Sequence, residues 1–186
     1  MRATKSCGGK SPIHYVVVEN WGRLIMTRKW SGVAGAAVLT LCFVSPARAQ
    51  VDPAKCTAPV VTSDERIAAC TAVIEAATGP KEGLAWAYNF RARAYFEVQD
   101  FDHAIADFSQ RLELSPKEPQ AHYNRGVAHL RKGNFDGAIA DFSHAIQLDR
   151  RYGKAYLCRG DAYRAKGAFD DAIADYNEAI QLDPKI

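Results

Sequence analysis

The sequence predicts an all-α protein, built as a right-handed α-solenoid of helix–turn–helix repeats. Three segments of 34 residues (85–118, 119–152 and 153–186) align without an insertion, and their stretches FDHAIADF, FDGAIADF and FDDAIADY fall in the same register. Each segment holds two stretches of about 14 residues with the apolar period of a helix, separated by a short turn of Asp, Asn or Gly. A period in this range is typical of a solenoid, in which each repeat packs on its neighbours.

The residue types at fixed repeat positions indicate how the helices pack. Small residues at positions 8 and 20 allow two helices to approach closely, and aromatic residues at positions 17 and 24 fill the space towards the next helix. These residues are Ala92, Gly126 and Gly160; Ala104, Ala138 and Ala172; Phe101, Phe135 and Phe169; and Phe108, Phe142 and Tyr176. The pattern resembles the tetratricopeptide repeat over residues 85–186. The resemblance implies a non-catalytic scaffold that binds a protein or peptide partner in the concave groove of the repeats.

Two residues depart from that repeat pattern. Arg111 stands where the family has a small residue, which predicts looser packing in the first repeat. Arg150 replaces a proline, which predicts a helix that runs on or joins its successor less sharply.

Upstream of the repeats, residues 50–84 form an N-terminal segment with one further predicted helix over 62–80, in which Thr62 and Glu65 can form a capping box. We expect this helix to act as a half-repeat that covers the first repeat.

The first 49 residues have the pattern of a cleaved signal peptide. Residues 26–30 are basic, residues 31–44 are apolar, and Ala47 and Ala49 provide the small residues that signal peptidase reads. We expect translation to start at Met26, with a longer basic region from Met1 as the alternative, and cleavage after Ala49. A retained membrane anchor is disfavoured because 14 apolar residues are too few to span a bilayer. The expected location is the periplasm or the exterior.

The charge of the exported part argues against nucleic acid as a partner. The whole chain carries +3, but residues 1–49 hold seven Lys or Arg and one acid. Residues 50–186 therefore carry 17 basic and 20 acidic groups and are mildly acidic. This balance gives no electrostatic basis for binding a polyphosphate backbone.

Export also places the cysteines in an oxidising compartment. Cys56 and Cys70 are expected to form a disulfide that closes a loop of about 15 residues, with two free thiols as the alternative. Cys158 is expected to be a small buried apolar residue. The three lack CxxC spacing and a nearby histidine pair, so the sequence predicts no metal site. No P-loop, G-x-S-x-G or GxGxxG motif is present, so we predict no catalytic residue and no cofactor.

An arginine and an aspartate recur 16 residues apart in every repeat. The pairs are Arg91 with Asp107, Arg125 with Asp141, and Arg159 with Asp175. In two antiparallel helices joined by a short turn, the two positions lie at nearly the same height, which favours a bidentate structural ion pair within each repeat. Pairing across repeats with Asp149 or Asp183 is one alternative. A ladder of arginines for acidic ligands is the other.

The first helix of each repeat supplies the residues that the resemblance assigns to the groove. These residues are Trp86, Asn89, Phe90, Arg93, Tyr123, Asn124, Val127, Arg131, Lys154, Leu157, Asp161 and Arg164, together with Phe96, Glu97, Gln120, Leu130, Cys158 and Ala165. Such a groove is aromatic at one end and basic towards the other, which suits an extended peptide with apolar and acidic groups. Asn124 and Lys154 match two positions of the clamp with which chaperone-binding relatives hold a C-terminal carboxylate. The match is partial because Cys158 replaces an expected basic residue.

The last repeat lacks the extra helix that closes many arrays of this type. We expect an exposed apolar face there that includes Tyr163, Ala172 and Ile180 or their neighbours. This face favours an alternative function, a structural homo-oligomer that stacks through its uncapped C-terminal repeat.

Overall fold

The computed structural model describes residues 52–78 and 81–185, apart from the side chain of Glu82, and this part of the chain is all-α. Its helices are α1 (Ser63–Ala76), α2 (Ala85–Glu97), α3 (Phe101–Leu114), α4 (Pro119–Lys132), α5 (Phe135–Leu148), α6 (Gly153–Ala165) and α7 (Phe169–Leu182). Short 3-10 turns at Pro53–Cys56 and Lys81–Leu84 precede α1 and α2. Each helix packs on its neighbours along the chain, which confirms the predicted α-solenoid.

The predicted signal peptide lies outside the described residues. Its basic start at Met26 and its cleavage site after Ala49 therefore stay predictions from the sequence. Within the described residues, none of the helices combines the length and the apolar character that crossing a membrane requires.

Side-chain caps and a glycine define the turns between paired helices. The Asp100 carboxylate accepts a hydrogen bond from the backbone N–H of His103 at 3.2 Å, and Asn134 Oδ1 accepts one from the N–H of Gly137 at 3.1 Å. These caps satisfy N–H groups that the first turn of a helix leaves without an internal partner. At the end of α4, Gly133 has a φ of 84°, a left-handed conformation that glycine adopts without steric cost. The chain therefore reverses sharply from α4 into α5.

Glycine also sets the distance between the helices of the second and third repeats. A Cβ atom on Gly126 would lie 2.8 Å from the Phe142 ring, and one on Gly160 would lie 2.7 Å from the Tyr176 ring. Both distances are closer than real Cβ contacts, so these aromatic rings pack directly on bare backbone. Position 8 of the repeat therefore controls how closely the paired helices approach.

The prediction that the replacement of proline by Arg150 would let α5 run on is wrong. Helix α5 ends at Leu148, the same repeat position at which α7 ends at Leu182. Asp149 Oδ1 accepts a hydrogen bond from the N–H of Arg151 at 2.9 Å, which turns the chain away from the helix axis. The aspartate side chain thus ends the helix without proline.

The helix before the repeats is capped and tied to the preceding chain. Thr62 and Glu65 form the predicted capping box at the start of α1. A disulfide joins Cys56 to Cys70, and both cysteines are fully buried against Ala87 of α2. The half-repeat therefore covers the first helix of the first repeat.

The last helix carries the exposed apolar face, although not with all of the predicted residues. The exposed fractions are 63% for Phe169, 57% for Ile173 and 54% for Ile180. Ala172 is buried, with 2% exposure, and the prediction that it belongs to the exposed face is wrong. Position 20 points into the helix pair in every repeat, because Ala104 and Ala138 are fully buried as well.

Candidate functional site

An arginine–aspartate pair links the two helices of every repeat. Arg125 donates to Asp141 twice, from Nε to Oδ2 at 2.9 Å and from Nη2 to Oδ1 at 2.7 Å. The other two pairs use the same atoms at 2.7–2.8 Å and are Arg91 with Asp107 and Arg159 with Asp175. The aspartates are nearly inaccessible, at 3–5% exposure. The structure thus has the bidentate geometry that favours a structural pair within each repeat.

The same arginines also reach the preceding repeat unit, although not through the aspartates considered from the sequence. Arg125 Nη1 donates to Ser109 Oγ of α3 at 3.0 Å. The equivalent hydroxyls, also at 3.0 Å, are Thr71 for Arg91 and Ser143 for Arg159. Asp149 and Asp183 instead accept hydrogen bonds from the backbone of their own turns. Each guanidinium therefore connects three helices, and its Nε, Nη1 and Nη2 atoms all donate hydrogen bonds within the protein.

Aromatic rings flank these arginines in the first and third repeats. The Cζ atom of Arg91 lies 5.7 Å from the centroid of Tyr88, and that of Arg159 lies 5.6 Å from Tyr156 and 5.9 Å from Tyr163. These distances are in the range of cation–π attraction. The hydrogen bond with the partner aspartate raises the pKa of Arg91 and of Arg159 above the ordinary value.

Histidines take the flanking positions in the second repeat. His122 Nδ1 lies 3.6 Å from Asp141 Oδ1, and His129 Nε2 lies 3.9 Å from Asp141 Oδ2. His129 Nδ1 faces the Asn134 amide nitrogen at 3.1 Å, so Asn134 donates and the Nε2 atom of the neutral ring carries the proton. Burial lowers the pKa of His129 below its ordinary value. The second pair is therefore the one flanked by histidines, at positions where the other repeats have tyrosines.

A row of neighbouring pockets runs along the helices α2, α4 and α6. The apolar pocket has a volume of about 330 Å³ and is lined by Arg93, Phe96, Glu97, Phe108, Tyr123, Asn124 and Val127. The polar pocket has a volume of about 360 Å³ and is lined by Asn89, Arg93, Arg111, Gln120 and Asn124. The two pockets share Arg93 and Asn124. They are therefore adjacent, and we refer to this row of pockets with apolar and cationic walls as the groove.

The groove extends beyond these two pockets at both ends. The distal pocket has a volume of about 340 Å³ and is lined by Gln120, Tyr123, Arg151, Tyr152, Gly153, Lys154, Leu182 and Asp183. Tyr152 donates its hydroxyl hydrogen to Gln120 Oε1 at 2.6 Å, and burial raises the pKa of Tyr152 to about 12. On the other side, a pocket of about 190 Å³ next to Arg93 and Glu97 is completed by Thr57, Ala58, Pro59, Arg66 and Phe90.

Family models for the tetratricopeptide repeat match residues 91–153 and 153–186 of the chain. The chain is a tetratricopeptide repeat protein. Crystallised MamA superposes with a TM-score of 0.61 at 24% identity, over 66% of this chain and 70% of that chain. The first tetratricopeptide domain of Spaghetti (RPAP3), bound to the HSP90 peptide SRMEEVD, superposes with a TM-score of 0.54 at 30% identity, over 55% of this chain and 81% of that chain. No curated protein sequence is significantly similar to the chain.

The tetratricopeptide array brings only part of the predicted groove residues to these pockets. Those that line a pocket are Asn89, Phe90, Arg93, Tyr123, Asn124, Val127 and Lys154, with Phe96, Glu97 and Gln120. Those that line none of the four are Trp86, Arg131, Leu157, Asp161 and Arg164, with Leu130, Cys158 and Ala165. Cys158 is fully buried, which confirms the expected buried residue and makes its assignment to the groove surface wrong.

The residues outside the pockets have partners of their own. Arg131 lies over the Phe96 ring, with 5.8 Å from its Cζ atom to the ring centroid. Asp161 accepts a hydrogen bond from the Tyr176 hydroxyl at 2.9 Å, and Arg164 donates to that hydroxyl at 3.2 Å. The pocket-lining part of the groove is thus concentrated between the first and second repeats and at the start of the third.

Sequence reasoning missed Arg111 as a groove residue. This arginine belongs to the second helix of its repeat, which the family pattern does not assign to the groove, yet it lines the polar pocket. The sequence feature that could have indicated this role is the arginine itself, which stands at repeat position 27 where the other two repeats have alanine. Among the described residues, no group of three or more His, Cys, Asp or Glu side chains is arranged to hold a metal ion.

Proposed function

We propose that the protein is a non-catalytic interaction scaffold that binds an extended peptide segment of a partner protein in the groove between α2, α4 and α6. The observation that carries this proposal is that the apolar, polar and distal pockets lie side by side and share lining residues. The structure of Spaghetti bound to the HSP90 peptide SRMEEVD supports it, since a similar array accommodates a peptide.

The lining of the groove suggests the chemistry of the bound segment. Phe96 and Val127 offer an apolar surface that is only half-buried, and desolvating such a surface favours binding of an aromatic or aliphatic side chain. Arg93 is exposed and has no hydrogen-bond or ion-pair partner among the described residues. We therefore propose a segment in which an apolar residue stands close to an acidic one.

A charge placed in the apolar pocket tests the peptide-binding function. We expect Val127→Glu to weaken binding of peptides selected from a displayed library of random twelve-residue sequences by at least about tenfold, because a carboxylate resists desolvation. Fluorescence anisotropy of the labelled peptides measures the affinity. Ala140→Glu is the matched control, since Ala140 is exposed on α5 and lines none of the pockets. Equal binding by both variants would refute a groove site.

We also propose that the protein acts in the cell envelope. The signal-peptide pattern of residues 1–49 and the disulfide between Cys56 and Cys70 support this location. Mass spectrometry of protein expressed from the full gene tests it. We expect a mature amino terminus at Gln50 and recovery in the periplasmic or secreted fraction. Retention of residues 31–49 in a cytosolic protein would contradict the proposal.

A second candidate function is self-association through α7. The exposed fractions of Phe169, Ile173 and Ile180, all above one half, favour it, because such apolar faces often mark contact sites. We expect light scattering to show a concentration-dependent dimer or larger species that Ile173→Glu converts to a monomer. A strict monomer at high concentration would rule out this function.

A further inference from the structure

Arg111 occupies a repeat position that is otherwise reserved for alanine in this chain. The equivalent residues of the second and third repeats are Ala145 and Ala179, and both are fully buried. The side chain of Arg111 is itself mostly enclosed, with 13% exposure. A small side chain at this position would end within the helix pair. The long arginine instead passes from α3 between α2 and α4 and reaches the polar pocket.

The guanidinium of Arg111 is held in the wall of that pocket by two contacts. Its Nη1 atom donates to Asn89 Oδ1 on α2 at 2.8 Å. Its Nη2 atom donates to the carboxylate of Glu118, at the N-cap of α4. The Asn89 contact fixes the planar group in one orientation, so little side-chain entropy is lost when a ligand binds.

Glu118 shows what kind of group this guanidinium binds. Its carboxylate is 50% exposed, in contrast to the buried aspartates that bind Arg91, Arg125 and Arg159. Because the Glu118 carboxylate is half in solvent, it can leave the guanidinium without being buried unpaired, so another carboxylate can take its place. The polar pocket also contains the exposed Arg93, so two arginines face one volume of about 360 Å³. Glu118 balances only one of these two arginines, so the remaining positive charge favours an acidic ligand.

The position of the polar pocket indicates which carboxylate fits it. The pocket shares Arg93 and Asn124 with the apolar pocket on one side and Gln120 with the distal pocket on the other. A peptide that follows the groove can therefore continue in both directions past Arg111. A side-chain carboxylate within the segment satisfies this geometry, whereas a C-terminal carboxylate would leave one flanking pocket empty.

We propose that Arg111, together with Arg93, binds the carboxylate of an internal Asp or Glu in the partner segment and that Glu118 is an internal competitor for the same guanidinium. This inference rests on the proposed peptide-binding function. To the groove residues of the first helices it adds Arg111, a specificity-determining residue on the second helix of a repeat. The bound segment then pairs an acidic residue at Arg111 with an apolar residue in the adjacent apolar pocket.

Arg111→Ala is a clean test because it installs the residue that the chain itself uses in the other two repeats. The probe is the peptide that binds most tightly after selection from the displayed library of random twelve-residue peptides. We expect that peptide to contain Asp or Glu near an aromatic or aliphatic residue. Arg111→Ala should weaken its binding by roughly tenfold or more, which is the usual effect of losing a charge-assisted hydrogen bond. Arg150→Ala removes the same charge from an exposed residue outside the pockets and should leave the affinity within about twofold.

Two further arms identify the interacting carboxylate. Replacing the acid of the peptide by its amide should weaken binding as much as Arg111→Ala does, and the two changes together should cost no more than either one. Glu118→Gln should tighten binding severalfold because the competitor is removed. Amidation of the peptide C-terminus should change nothing. If only amidation weakens binding, the terminal carboxylate is the ligand and the assignment to a side chain is overturned.

The outcomes separate this inference from the proposed function. Val127→Glu could abolish binding while the Arg111→Ala protein and the amide peptide each bind as tightly as their parents. In that case the groove binds peptides, but Arg111 does not bind an acidic residue of the peptide. If the wild-type protein selects no peptide, both the function and the inference fail. A thermal midpoint of Arg111→Ala close to that of the wild type shows that a loss of binding does not reflect unfolding.

Discussion

Replacing Arg125 by methionine should be among the most destabilising single changes in the second repeat. Methionine keeps an unbranched side chain but removes both hydrogen bonds to Asp141, at 2.9 and 2.7 Å. The Asp141 side chain is only 4% exposed, so water cannot replace the lost donors. Removal of one partner from a buried pair typically costs about 3–5 kcal/mol. For an array of this size we expect a thermal midpoint lower by about 10–20 °C.

The double variant Arg125→Met/Asp141→Leu separates the value of the pair from the cost of an unpaired charge. Apolar replacement of a whole buried ion pair is often close to neutral, so the double variant should recover most of the lost stability. Lys132→Met provides the exposed control. Lys132 pairs with Asp102 across the repeat boundary, but the two side chains are 47% and 74% exposed. Its loss should cost less than about 1 kcal/mol.

Urea unfolding followed by circular dichroism measures these differences as shifts in the midpoint at a constant slope. A loss below about 1 kcal/mol for Arg125→Met would refute the view that Asp141 depends on this arginine. A double variant as unstable as the single one would show that packing, rather than the unpaired carboxylate, carries the effect. A changed slope would indicate that the repeats no longer unfold together.

Two more perturbations follow from the packing of the second repeat. Gly126→Ala should cost about 1–3 kcal/mol, measured by urea unfolding, because its Cβ would lie 2.8 Å from the Phe142 ring and force the helices apart. His129 gives the array a pH dependence. Its pKa in the folded state lies below the ordinary 6.5, so the unfolded chain binds more protons as the solution becomes acidic. The contribution of neutral His129 to the free energy of unfolding should therefore be fully present above about pH 6.5. It should decline as the pH falls from there through the folded-state pKa. His129→Tyr should reduce this decline in urea midpoints measured from pH 8 to pH 5.

The chain itself offers a control for each of these two predictions. Gly83→Ala should be tolerated, because a Cβ there meets no atom within 4 Å, and an equal loss at both glycines would contradict the close-packing explanation. Tyr95 and Tyr163 occupy the position of His129 in the other repeats, so tyrosine suits this site. A pH profile that His129→Tyr leaves unchanged would assign the acid sensitivity to other groups.

The periodic features could be predicted from the sequence because they depend on local spacing. A 34-residue period defines the helix pairs, and the 16-residue separation of Arg125 and Asp141 places them opposite each other across one turn. The capping box of Thr62 and Glu65 needs only four consecutive residues. These relations hold within one helix or one hairpin, where geometry leaves few alternatives.

Contacts between repeats were beyond the same reasoning because they depend on the angle and offset of successive helix pairs. The hydroxyl of Ser109 that accepts the hydrogen bond from Arg125 belongs to the preceding repeat. The polar pocket that Arg111 reaches is likewise completed by Gln120 and Asn124 of the following repeat. A departure from the family pattern at position 27 indicated altered packing but not the direction of the side chain. The contact of Cys158 with Ala138 and Phe142, in place of a position on the groove surface, likewise depends on how α6 sits against α5.

The contacts between repeats also bear on how the groove binds. Arg125 fixes α4 to both α5 and α3, while the residues immediately before it, Tyr123 and Asn124, line the groove. A helix held on its far side by three hydrogen bonds presents those two side chains in a defined position before any partner arrives. Binding then orders the peptide but not the receptor, which lowers the entropic cost of association. Loss of the Arg125–Asp141 pair should therefore weaken peptide binding even under conditions in which the array remains folded.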